Sequence, residues 1–192
     1  PATGSSYEAH EGVAISHSPQ SQSPRARPKV SPPGHARTGP PGRIVNITSV
    51  GGRLASPFLG AYTATKHAVE AMTDTLRREL VIYGIDAIAI GPGSVKTPIW
   101  DKAEQDNTEG PYAASDWAGS LKRFEEVMLS GGRTGLTPED IAGYIEAALS
   151  DGKPKARYAP VPDKLTNWTI PTRLPKRLLD RIFWSRFGLK KT

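Results

Sequence analysis

Cysteine is absent from this 192-residue sequence, which excludes disulfides, thiolate metal sites and a cysteine nucleophile. Long apolar runs are absent as well. No stretch approaches the ~20 residues needed to cross a bilayer, and the N-terminus carries no signal-peptide hydrophobic segment. Together these absences point to a cytoplasmic setting. The sequence also lacks an initial Met: it opens on Pro1, which reads as a processed chain or a partial reading frame. Histidines are few, and three of the four (His10, His17 and His35) fall in the first 42 residues. His67 stands alone, so no metal site is expected.

Apolar residues make up 37% of the chain, low for a globular protein, while 18 prolines and 19 glycines are present. Ordered and unordered stretches are therefore expected in one polypeptide. Charge separates them. Residues 1–42 carry a net charge of +2, residues 43–150 carry −4, and residues 151–192 carry +8. The basic balance thus belongs to the tail and not to a folded basic face, so nucleic acid is not an expected partner.

Residues 1–42 form a Pro/Ser/Gly-rich arm, typified by Ser16-His17-Ser18-Pro19 and Gly39-Pro40-Pro41-Gly42. Without helical or strand periodicity, the arm is expected to stay disordered. Order starts at Arg43. Ile44-Val45-Asn46-Ile47-Thr48 is a β-branched run suited to a buried strand. Ala64, Ala68, Ala71, Met72, Leu76 and Leu80 then recur at helical spacing, predicting a helix over 61–82 with a stop at Gly84. A second strand is expected over 85–90 and a helix around 115–129. Thr137-Pro138-Glu139-Asp140 is a helix start, and a third strand is expected over 157–161. Alternating short apolar strands and helices argue for an α/β fold with a parallel sheet.

Tyr62 and Lys66 are four apart on the first helix and so share one face. A free tyrosine, with a pKa near ~10, exchanges its proton poorly at neutral pH. A nearby ammonium favours the phenolate and makes that proton easier to move. Alone, the pair also fits an ordinary solvated helix face. Ser49, thirteen residues earlier, follows a strand end, where open α/β sheets bind their ligands. Pro92-Gly93 follows the next strand at the same edge.

Asn46-Ile47-Thr48-Ser49, Tyr62-Thr63-Ala64-Thr65-Lys66 and Pro92-Gly93-Ser94-Val95-Lys96-Thr97-Pro98 resemble, in order and spacing, the second half of a short-chain dehydrogenase/reductase. Leu76-Arg77-Arg78-Glu79-Leu80 is similar to retinoid- and steroid-type members. The resemblance covers residues 43–165. It implies the C-terminal part of a Rossmann-type doubly wound sheet, with a variable lid at 98–132 in which Ile99, Trp100 and residues of 111–129 either line a pocket or pack on their own domain. It further implies an NAD- or NADP-dependent enzyme that interconverts an alcohol and a carbonyl on a small, lipophilic substrate. Tyr62 would be the general acid/base. Lys66 would assist it and bond the nicotinamide ribose, and Ser49 would polarise the substrate oxygen. Pro92 and Gly93 would let the backbone approach the nicotinamide, with Val95 and Thr97 holding its carboxamide. Family members commonly dimerise through the helix at 61–82.

The family's Gly-rich pyrophosphate turn and its Asn-Ala-Gly element do not occur in this sequence. Cofactor binding is accordingly expected to be impaired, and the chain is expected to be a truncated or spliced product with little turnover of its own. The alternative is a non-catalytic remnant that pairs with a full-length subunit or acts as an interaction protein. Leu178, Leu179, Ile182, Phe183 and Phe187 form an apolar stripe in a basic segment over 166–192. Residues 171–192 fit either a helix lying on a membrane surface or one packed on its own domain.

Overall fold

The β-branched run after Arg43 forms strand β1 (Arg43–Ile47), and Asp86–Ile90 forms β2, paired parallel from Arg43↔Asp86 to Ile47↔Ile90. The computed structural model describes residues 42–105 and 114–190, with the side chains of 103–105 excepted. The arm expected over 1–42 therefore lies outside the described residues but for Gly42, as does the middle of the 98–132 segment. A short β3 (Arg157–Tyr158) adds in parallel to β2, giving the order β1-β2-β3. This all-parallel sheet bears out the expected α/β class.

The third strand is shorter than the 157–161 expected. Its path still continues along the sheet edge, because the Gly91 and Gly93 amides donate to the Tyr158 and Pro160 carbonyls at 2.9 and 3.0 Å. Pro160 has no N–H to return, so the regular ladder stops.

Helix α1 (Gly60–Glu79) crosses from β1 to β2 and runs on into a 3-10 turn, Leu80–Tyr83. Gly84, at φ 65°, closes it in the left-handed conformation that costs glycine no steric strain. Between β2 and β3 lie α2 (Ile99–Gln105), α3 (Ala118–Thr134) and α4 (Pro138–Ser150). The α4 start is a reciprocal box: Thr137 Oγ1 accepts the Asp140 amide at 3.2 Å and Asp140 accepts the Thr137 amide at 2.8 Å.

The two sides of the sheet differ in chemistry. Val45, Ile88, Ile90 and Tyr158 pack with Ile145 and Ala148 of α4 in an apolar core. Asn46 and Thr48 alternate with Val45 and so point the other way. There Asn46 Nδ2 donates to Thr73 at 2.9 Å and Thr48 donates to Glu70, both on α1. Helices therefore cover both faces, as a doubly wound sheet requires.

Against this face α1 buries polar positions. Thr63, Glu70 and Thr73 are buried, whereas Ala64, Ala68, Ala71 and Met72 are exposed. The strand beneath offers hydrogen-bonding side chains, so the polar face of the helix turns inward and the apolar one outward.

The C-terminal segment makes one π-helical turn (Leu165–Thr169) and then α5 (Lys176–Phe187). Phe187 is buried, with its ring centroid 5.8 Å from Phe124 of α3 and 6.0 Å from Phe183. Leu178 and Ile182 remain exposed. The apolar stripe of the tail is thus divided, one part packed and the other facing outward. No described helix is long and apolar enough to cross a membrane.

Candidate active site

Ser49 stands where β1 gives out. The Thr48 amide still donates to Ile90 at 2.7 Å, and the Val50 amide then reaches across to the Pro92 carbonyl at 2.8 Å. The loops after β1 and β2 are therefore stitched together at the C-terminal edge of the sheet. Ser49 is buried and caps a 3-10 turn, Val50–Gly52, its Oγ accepting the Gly51 amide at 3.0 Å.

Tyr62 lies in the first turn of α1 and is 44% exposed. Lys66 follows one turn later, its Nζ 5.7 Å from the centre of the Tyr62 ring. The glycine turn brings these groups together. A Cβ added at Gly51 would lie 3.1 Å from Tyr62 Cε1 and 3.5 Å from Ser49 Oγ. One at Gly52 would lie 2.8 Å from Glu70 Cγ and 3.0 Å from the Lys66 carbonyl. Only residues without a side chain let the loop sit this close to the helix.

The remaining expected positions are less closely gathered. Pro92 is buried and Gly93 half-buried beside Ser49's loop, held by the bonds to Val50 and Pro160. Val95 bridges to Leu136, and its carbonyl accepts the Trp100 indole N–H at 2.7 Å. Thr97 is exposed. Trp100 packs its ring on Gly132 of α3, where any Cβ would overlap it. It therefore fills its own domain rather than lining a pocket. Ile99 is 65% exposed.

Beneath the expected residues lies an ionic network that the motifs do not announce. Glu70 is buried and receives Thr48 Oγ1, Arg53 Nε at 3.2 Å and Arg157 Nε at 3.0–3.1 Å. A carboxylate removed from water in this way needs such partners, and losing one typically costs about 3–5 kcal/mol. The available signal was spacing: Glu70 follows Lys66 by four residues, on the same face of α1.

Residues 34–108 match the family model described as short chain dehydrogenase. The chain is 39% identical over 150 residues to the NADPH-dependent 3-dehydrocapnine reductase of Ornithobacterium rhinotracheale, covering 78% of this chain and 52% of that protein. It is 30% identical over 153 residues to human retinol dehydrogenase 5, covering 73% and 47%. Among solved structures, a short chain dehydrogenase/reductase from Burkholderia phymatum in complex with NAD superposes with a TM-score of 0.52. That superposition covers 74% of this chain and 50% of the other, at 26% identity. The chain spans about half the length of the curated relatives it matches.

Proposed function

Because this chain belongs to the short-chain dehydrogenase family, we propose that its Ser49–Tyr62–Lys66 site transfers the proton in nicotinamide-dependent interconversion of an alcohol and a carbonyl. The convergence on Gly51 carries this proposal, since one glycine position neighbours both Ser49 Oγ and the Tyr62 ring.

The hydrogen bonds suit these roles. Ser49 Oγ accepts from the Gly51 amide, so the serine's own hydrogen is available to donate to a substrate oxygen. Polarised by that bond, the carbonyl carbon becomes the better electrophile. Tyr62, on the exposed end of α1, delivers its proton to the same oxygen as the carbon is reduced, and recovers it in the oxidative direction. The Lys66 ammonium, one turn away, offsets the negative charge left on the phenolic oxygen.

NAD or NADP would supply or take up the hydride at this edge. The residues present fit its nicotinamide half: Tyr62 and Thr97 are exposed, and Pro92–Gly93 is fixed close to Ser49. The sequence holds no spaced-glycine turn for the pyrophosphate. Weak dinucleotide affinity in this 192-residue polypeptide follows from that. Small, lipophilic alcohols and ketones are the proposed substrates, which Tyr62 and Ser49 recognise only at the reacting oxygen.

The test is isotope transfer. With saturating deuterated NADH or NADPH and a panel of apolar ketones, the protein should place deuterium on the product carbon, detected by mass spectrometry. Tyr62→Phe should lower that rate at least ~100-fold, the lower range for loss of a general acid. Equal transfer by Tyr62→Phe, or none by the wild type, would refute the proposal.

Two proposals concern partners. The outward Ala64, Ala68, Ala71 and Met72 of α1 suit self-association. The same face would serve pairing with a longer subunit, the non-catalytic alternative. Exposed Leu178 and Ile182, beside Arg177, Arg181 and Arg186, suit contact with an anionic membrane surface.

A further inference from the structure

Arg157 has no part in the proposed proton transfer, yet it touches several parts of the site's framework. Its Nε spans both oxygens of buried Glu70 at 3.1 and 3.0 Å. Another arm of the guanidinium, Nη2, donates to the Ser49 carbonyl at 3.2 Å. Its carbon lies 4.1 Å from the centre of the Trp168 ring. The side chain keeps only 15% of its accessible surface. Gly91 makes room for it, because a Cβ there would overlap the guanidinium.

These contacts join four parts of the chain. Glu70 lies on α1 two turns beyond Tyr62, Ser49 caps the turn after β1, Arg157 opens β3, and Trp168 belongs to the π-helical turn. A guanidinium is a planar fork that can bond a carboxylate and a carbonyl in fixed relative positions while one face stacks on a ring. A lysine's single ammonium group has no second arm to reach Ser49 in the same geometry.

We propose that Arg157 is a positioning residue, clamped between Glu70 and Trp168, that fixes the Ser49 backbone against the helix carrying Tyr62 and Lys66. The inference rests on the assignment of Ser49 and Tyr62 to the reacting site. Arg157 reaches no substrate; it acts through the Ser49 carbonyl. That carbonyl also accepts the Gly52 amide at 3.0 Å, and Ser49 Oγ accepts the Gly51 amide. Loss of the clamp should therefore loosen the turn that aims the serine hydroxyl.

Amide hydrogen exchange by NMR reads this loosening in the protein itself. Arg157→Gln should raise Gly51 and Gly52 amide exchange at least tenfold, while the β2 amides of Ile88 and Ile90 change less than threefold. Arg157→Lys, which keeps the charge but not the fork, should reproduce the effect and serves if the glutamine variant does not fold. Arg43→Gln, which removes a contact to α4, should leave Gly51 and Gly52 unchanged. Unaltered Gly51 exchange in both Arg157 variants, or equal acceleration of the turn and β2, would overturn the proposal. Where turnover is measurable, kcat in Arg157→Lys should fall at least tenfold with KM for the carbonyl within threefold. A change confined to KM would count against positioning. A wild-type protein without turnover would remove the catalytic assignment of Ser49, and the exchange ratio would still decide whether Arg157 holds it.

Discussion

At the scale of single residues, charge placement acts most visibly on one carboxylate of α1. Asp74, on α1, accepts a 2.7 Å hydrogen bond from Arg77, with Arg53 and Arg78 both at 3.9 Å. The Arg77 bond and these positive charges hold its carboxyl below the ordinary 3.8, against a smaller opposing effect of burial. Its proton is therefore bound more tightly in the unfolded chain than in the folded one. The stabilisation is present above the unfolded value and is lost as pH falls through the depressed folded one. Asp74→Asn should cost no more than ~1 kcal/mol at pH 7, because the carboxylate keeps contact with water. Urea unfolding at pH 7 and pH 3 should show the difference from wild type shrinking at the lower pH.

Ser49, Tyr62 and Lys66 stood out as candidates through the family resemblance, since spacing alone places them only at a strand end or on one helix face. Glu70 and Arg157 did not. Their contact joins residues 87 apart, and no local period links a helix to the first residue of a strand that distant. The glycines at 51 and 52 read as a loop; the close approach they permit appears only once α1 is in place.

At the scale of elements, helix and strand positions followed from periodicity, while the face each helix buries did not. For α1 the apolar spacing identified the helix but not its inward side, which Asn46 and Thr48 on β1 set by selecting Thr73 and Glu70 as partners. For α5 the five-residue stripe divides. Phe187 is committed to Phe124 of α3, whereas Leu178 and Ile182 face out with the arginines. A helix so divided can stay docked and still meet a lipid surface. Flotation with vesicles containing phosphatidylserine should recover the protein, and the double variant Leu178→Ser/Ile182→Ser should reduce recovery severalfold. Equal recovery of the two proteins, or recovery with neutral vesicles alone, would discard the membrane contact.

At the scale of the whole molecule, the α/β class was legible from the alternation of strands and helices, and the parallel sheet follows from it. Self-association was an expectation from the family resemblance alone, since apolar spacing on a helix does not distinguish a face packed in a core from one offered to a partner. Ala64, Ala68 and Ala71 are exposed and small, which suits the close approach of a second helix beside exposed Met72. Light scattering after gel filtration should give a mass above that of one 20.7 kDa chain, and Met72→Glu should return it to that value. A monomeric wild type would discard self-association through α1.

The proposed function makes the C-terminal sheet edge around Tyr62 the nicotinamide half of a cofactor site. The Tyr62 ring resonances, followed while reduced nicotinamide mononucleotide and then NADH are titrated, report on that edge. Both should shift Tyr62, and the weak dinucleotide affinity proposed for this polypeptide would put their dissociation constants within about tenfold of each other, or ~1.4 kcal/mol. Resonances of Tyr62 that stay still under both ligands would contradict the claim.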